Sequence, residues 1–170
     1  QALRLAAQVG VKLFVGDNRF EQPGEGLVEA VRAYRNQPAL AGYTLRDEPS
    51  LAEFAKLAAA RDALQAADPD HWSYVNLFPT YASPAQLGCE TYPEHVRRFM
   101  VEFRTTVLSF DHYPVLEGDR LRGDYYQNLE WIRQAALEHG TPFWAFALTC
   151  PHKPYPMPTL AHVRLQAWSN

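Results

Sequence analysis

The densest chemistry in the chain is a run of three charged residues, Arg46-Asp47-Glu48, followed by Pro49 and Ser50. Pro49 breaks a strand, and Ser50 with Glu53 has the S-x-x-E spacing that opens a helix. The two carboxylates therefore stand where a strand gives way to a helix. A carboxyl held there beside apolar walls loses hydration, keeps its proton to higher pH and can serve as a general acid. Glu48 is the candidate for that role. A solvated ion-pair turn would use the same residues, since carboxylates are also favoured at a helix N-terminus. The triplet by itself fits both readings.

Other polar and aromatic groups recur at similar points. Five short apolar runs, Val11 to Val15, Leu40 to Leu45, Ser73 to Phe78, Thr106 to Phe110 and Phe143 to Leu148, each stop in such groups. The stops are Asp17-Asn18, Asp47-Glu48, Thr80-Tyr81, Asp111-His112-Tyr113, and Thr149 with His152. Asn18, Asp47, Asn76, His112 and His152 are of types that bind hydroxyl groups. Tyr81, Tyr113 and Tyr155 lie just past strand ends and offer rings on which an apolar ligand face could stack. Singly, each is equally at home as a satisfied loop or core residue. Trp144 lies inside a run and reads as core or wall.

Amphipathic stretches separate these runs. Ser50/Glu53 and Thr91/Glu94 both read as capping boxes, the second ahead of the stripe Val96, Phe99, Met100, Phe103. Asp124 reads as the cap of a third helix that stops at His139-Gly140, with Pro142 beyond. Weaker helices are predicted over Leu3 to Gln8, Leu27 to Tyr34 and Leu160 to Trp168. The run ends recur at roughly 30 to 38 residues, one βα unit each. Such regular alternation predicts right-handed crossovers and a parallel sheet. An open doubly wound sheet gathers its ligand groups at one switch point, often with a Gly-rich loop, and no such loop is present. A barrel draws them from many strand tips around one mouth. The expected fold is therefore α/β, five parallel βα units of a partial TIM (β/α)₈ barrel, with residues 1–170 forming one incomplete domain of a longer protein. Its edges would be open to pairing with other chains.

Composition excludes some classes of partner. The formal net charge is −3 and the 16 Lys and Arg residues are scattered, so no basic stripe marks a nucleic-acid binder. No apolar run approaches the roughly 20 residues of a membrane span. Cys89 and Cys150 are too few for a disulfide framework. No cofactor motif is present, and the oligomeric state is not set by the sequence.

Arg46-Asp47-Glu48-Pro49 resembles the Asn-Glu-Pro motif at the end of the fourth strand in the retaining clan of (β/α)₈ glycoside hydrolases, with Asp in the Asn position. Tyr74 to Tyr81, Leu108 to Pro114 and Phe143 to Leu148 extend the resemblance to sugar-hydrolase-like barrels over nearly the whole chain. It implies that the five strands are the third to seventh of the barrel. It also implies a carbohydrate substrate, a role in carbohydrate metabolism, a glycosidase in the full-length protein, and a periplasmic or secreted location.

One departure is plain: the clan's nucleophilic Glu should fall near Leu148-Thr149-Cys150, where there is no carboxylate. Asp111 is the substitute. It ends the strand two along from that of Glu48, so the backbones stand about 10 Å apart. The carboxyls could then reach the roughly 6.5–9.5 Å of an inverting pair, with Glu48 protonating the leaving oxygen and Asp111 activating a water. A loop hydrogen bond, or orientation of His112, is the other use for Asp111. Two rivals remain open at this point. Glu48, Asp111, His112 and His152 are metal-ligand types for a barrel hydrolase or isomerase, although they lack H-x-H or H-E-x-x-H spacing, so no metal is expected. A carbohydrate-binding barrel without catalysis also fits the empty strand-seven position.

Overall fold

The computed structural model describes residues 1–152 and 154–170. Its main sheet has five parallel strands in the order β1 (Leu13–Gly16), β2 (Leu40–Asp47), β3 (Trp72–Leu77), β4 (Leu108–Phe110) and β7 (Phe143–Ala145). Between them run α2 (Glu25–Tyr34), α3 (Phe54–Ala67), α5 (Tyr92–Glu102) and α6 (Tyr125–His139), flanked by α1 (Ala2–Gln8) and α7 (Leu160–Ser169). This is the α/β, part-barrel architecture predicted from the apolar runs. The last strand is shorter than its run, pairing only through Ala145, with one further bond from the Phe146 N–H to the Phe110 carbonyl at 3.2 Å.

Alternation along each strand sorts its side chains. One set, including Tyr43, Leu45, Val75, Leu77, Leu108 and Phe110, packs under the helices against Phe54, Leu57, Val96, Phe99 and Ile132. The other set faces inward, and there the sheet curls. A flat five-strand sheet would hold β1 and β7 about 19 Å apart. Instead Phe14 of β1 and Trp144 of β7 have ring centroids 6.2 Å apart, and both rings meet Tyr74 of β3, at 5.1 and 6.2 Å. Gly42 makes this possible. A Cβ there would lie 2.7 Å from Phe14 Cε1 and 2.3 Å from the Trp72 carbonyl oxygen. Trp144 is thus wall rather than core: it lines the concave face and is 42% exposed.

The caps follow the sequence with two differences. Ser50 and Glu53 form the reciprocal box, with the Ser50 N–H donating to Glu53 Oε2 at 2.8 Å. Thr91 accepts from the Glu94 N–H, opening α5, but the Glu94 side chain returns no bond to Thr91, so this box is only half made. Asp124 occupies the N-cap of α6 but does not cap it; its carboxylate turns to Thr80 and His112. The structure also adds a short helix, α4 (Pro84–Leu87), boxed by Ser83 and Gln86, and a small hairpin of β5 (Val115–Leu116) and β6 (Arg120–Leu121). No helix of the described residues is long and apolar enough to cross a membrane.

Candidate active site

Two backbone irregularities at the tip of β2 aim its acidic pair. First, the pairing of β2 with β3 slips between Thr44 and Arg46, so that Arg46 stands beside Val75 and Asp47 beside Asn76. One extra residue in a strand re-aims the residues beyond it. Asp47 is thereby turned to the concave side, and Arg46 to the helix side, where it pairs with Glu21 at 3.4 Å and Glu53 at 3.3 Å. Second, Glu48 adopts φ +48°, a left-handed conformation that costs an L-residue on the order of 1–2 kcal/mol. Its N–H is anchored on the Asn76 carbonyl at 2.8 Å. Simple alternation would send neighbouring side chains to opposite faces; the turn at Glu48 brings its carboxyl to the same mouth as Asp47.

Asp111, just past β4, completes the group. Its carboxylate accepts from Asn76 Nδ2 at 3.0 Å, and the same nitrogen donates to Asp47 at 3.2 Å. The side chains of Glu48 and Asp111 lie within hydrogen-bonding reach of each other, so that one carboxyl, when protonated, can donate to the other. This is closer than the 6.5–9.5 Å expected for a pair that holds a water between them. The strand tips converge because the sheet curls.

The electrostatics follow from this crowding. Glu48 is half-buried, and loss of hydration pushes its carboxyl up to about 7, helped by the negative charges of Asp111 and Asp47 and by its hydrogen bond to Asp111. Burial also raises Asp111, while the Asn76 amide pulls it the other way. Arg46, the nearest guanidinium in sequence, is committed to Glu21 and Glu53. A proton retained by the pair is what relieves the repulsion.

Around the carboxyls stands an aromatic rim. Tyr113 lies near enough to Asp111, Asp47 and Glu48 for their charges to add to the effect of burial, which together hold its phenol up at about 12. Its ring packs on His152 and Tyr155, each at 5.0 Å. Tyr81 hydrogen-bonds Tyr155 hydroxyl to hydroxyl at 2.9 Å, and the Arg122 guanidinium covers its ring at 3.9 Å. On the other side, Asn18 is exposed and lines a hollow of about 230 Å³ between the tips of β1 and β2, with Asp17, Glu21, Arg46 and Asp47. Larger hollows lie along α2, where Glu25 and Glu29 stand beside Arg32, and between α6 and β7; neither is lined by Asp47, Glu48 or Asp111.

Two residues read from the sequence as hydroxyl binders lie below the surface. His112 is 1% exposed, wedged between the rings of Tyr81 and Tyr125, with Nε2 3.3 Å from Asp124. Asn76 is 6% exposed, and its amide is taken up by protein partners: two acidic acceptors, and Ser109 Oγ donating to its Oδ1 at 3.0 Å. Sequence reasoning missed Tyr74, Ser109, Asp124 and Arg122. For Tyr74 and Ser109 a signal was present: each stands two residues before Asn76 or Asp111, and strand residues two apart share a face.

At the tip of β7 no carboxylate enters the mouth. Leu148 is buried and held at both its N–H and its carbonyl by Gln166 of α7, at 2.7 and 3.1 Å, while Thr149 and Cys150 are exposed. Among the described residues no group of three or more His, Cys, Asp and Glu side chains is disposed to hold a metal ion.

No family model matches the chain, and no curated protein does. Among solved structures it is similar to a protein from Bacteroides thetaiotaomicron provisionally described as an α-L-fucosidase, with a TM-score of 0.64 at 11% identity. A β-glucanase from Saccharophagus degradans aligns in its native form at TM-score 0.44 and 14% identity, over 99% of this chain and 68% of that one. Its complex with cellotetraose aligns at 0.41 and 15%, over 95% and 66%. The first alignment takes in 99% of this chain and 59% of the other, so the chain spans about three-fifths of that protein's length. That likeness concerns architecture alone: five βα units of the (β/α)₈ type.

Proposed function

We propose that this chain carries the acid centre of a glycoside hydrolase acting on O-glycosidic bonds of oligo- or polysaccharides, with Glu48 as the proton donor. The observation that carries the reading is the Glu48–Asp111 contact: a half-buried carboxyl that holds its proton to about pH 7, at the mouth of a part-barrel, beside an ionisable partner. Protonated Glu48 gives its proton to the glycosidic oxygen as the bond to the anomeric carbon breaks and the electron pair leaves with that oxygen. The sugar cation that results faces Asp111 and Asp47, whose charges offset it. Water then adds to the anomeric carbon and returns a proton to the Glu48 carboxylate. In this scheme Asp111 is Glu48's partner rather than the water-activating base expected from the sequence, because the two carboxyls touch. Asp47, Asn18, Tyr81, Tyr113 and His152 supply the sugar-binding rim, and His112 supports it from beneath through Tyr81. On the same reading, residues 1–170 form one incomplete barrel domain, and further strands cover the exposed concave rings.

The direct trial is a panel of aryl-glycosides and polysaccharides with wild type and Glu48→Gln. A loss of about 10²–10⁴-fold is expected. The activity of the wild type should decline as pH rises through about 7, where the acid loses its proton. Equal activity in the two proteins removes Glu48 from the mechanism. A second reading, a carbohydrate-binding barrel without catalysis, is favoured by the carboxylate-free tip of β7. Sugar binding that survives Glu48→Gln, with no substrate turned over by either protein, selects it.

A further inference from the structure

Asn76 touches all three acidic residues of the mouth. Its backbone carbonyl accepts from the Glu48 N–H, and its side-chain nitrogen donates to Asp47 and Asp111. The orientation of that amide is set from behind. Ser109 Oγ donates to Asn76 Oδ1 at 3.0 Å, which leaves Ser109 to accept from the Tyr74 hydroxyl at 2.8 Å. Burial holds Tyr74 in its protonated form, so it remains a donor. The chain of bonds therefore runs one way, from Tyr74 to Ser109 to Asn76 and out to the two aspartates. A flipped amide would put its oxygen against two carboxylates and lose both bonds. An amide nitrogen can only donate.

We propose that Asn76 is the positioning residue that decides which carboxyl of the pair keeps the proton: by donating one hydrogen to Asp47 and the other to Asp111, it holds both as acceptors and leaves Glu48 as the only donor. Glu48 receives nothing from the side chain of Asn76, only a carbonyl anchor for its backbone. A hydrogen bond given to a carboxylate favours its ionised form, and each such bond lowers its hold on a proton. The groups that face the pair work the other way or equally on both. Asp47 acts from β2, Tyr74 from β3, Tyr92 from α5 and Tyr113 from beyond β4, and none of them is a cation. Asp111 also accepts from its own backbone N–H, a weaker bond that no side-chain change removes, so among side chains outside the pair the asymmetry between Glu48 and Asp111 is traced to one amide.

The inference rests on the proposed function only for its catalytic consequence, since the order of titration can be read without turnover. Carboxyl ¹³C shifts of Glu48 and Asp111 are to be followed from pH 3 to 9 in the wild type, in Asn76→Ala and in Ser109→Ala. In the wild type Asp111 should ionise first and Glu48 last. Asn76→Ala should narrow the gap between the two midpoints by at least about 1 pH unit, while Ser109→Ala, which leaves both donations in place, should narrow it less. An unchanged gap in Asn76→Ala reduces Asn76 to a packing residue and overturns the proposal. Should that variant fail to fold, the side-chain ¹H–¹⁵N signals of Asn76 in the wild type decide. They must move with the Asp111 step more than with the Glu48 step, and signals that ignore the Asp111 step overturn the proposal. Activity is read in parallel. If no glycoside is turned over, the proposed function fails and the titration order still stands or falls alone. If turnover is found and its alkaline limb is the same in Asn76→Ala, the function stands and the role of Asn76 does not.

Discussion

The two ends of the sheet use similar side chains for different ends. Near the N-terminal ends of β2 and β3, Asp68 is 4% exposed and closed in by donors: the Tyr43 hydroxyl, His71 Nδ1 at 2.8 Å and the Asp70 N–H at 3.2 Å. Tyr43 has no exposed surface. At the C-terminal end, Asp111 also has an amide donor, but its other neighbours are Glu48 and Asp47, and the site opens to solvent. One carboxylate is saturated by partners of complementary character. The other is set against its own kind. A buried acid that is fully paired holds a fold together, whereas acids crowded together retain a proton that can be given away. Barrel enzymes divide their two faces in the same way, with stability at the bottom and chemistry at the top.

Breaking the closed end should have the larger effect on stability. Asp68→Ala leaves the Tyr43 hydroxyl buried without a partner, and a loss of about 2–3 kcal/mol is expected in urea unfolding. The Glu48 titration should be untouched, and a shift in it would show that the two ends are coupled. Gly42→Ala acts between them. The added methyl meets Phe14 and the Trp72 carbonyl, so a cost of about 1–3 kcal/mol is expected. Because Phe14 must then withdraw, its ring contacts with Tyr74 and Trp144 should be lost, which ring-current shifts would report.

The smallest effect sharpens the contrast by its sign. Glu48 binds its proton more tightly folded than unfolded, so the unfolded chain gains by ionisation as pH rises from the ordinary glutamate value of 4.5 to about 7. Ionised Glu48 therefore lowers stability above pH 7 and has no such cost below 4.5. Glu48→Gln should raise stability by about 1–2 kcal/mol at pH 8, after allowing for solvent screening, and by nothing comparable at pH 4. A destabilised Glu48→Gln at pH 8 would place the residue among the saturated groups.

The five strands and most helices were legible because burial on both faces writes continuous apolar runs, and because caps are local. Ser83 to Gln86 carried the same local signal as Ser50 to Glu53, but only one turn of helix follows it. The hairpin at Val115–Leu121 turns on Gly118 and Asp119 at positive φ, too short a feature to show periodicity. At the site, residue types pointed to Glu48 and Asp111, but their contact did not show, since it comes from the curl of the sheet. Nor did the burial of His112 or the engagement of Asn76. Asp124 looked like a cap because of where it stands. It is drawn off by Thr80 and His112, which come from other parts of the chain.

The slip in pairing along β2 also sets the electrical sign of the opening. Read in the opposite phase, the same tail of residues would turn the guanidinium of Arg46 inward and Asp47 out toward the helices. A fixed cation would then sit among the acids, and Glu48 would have no reason to stay neutral. A single inserted residue thus acts as a polarity switch built into the backbone, and it keeps the one positive charge of the triplet on the far side of the wall.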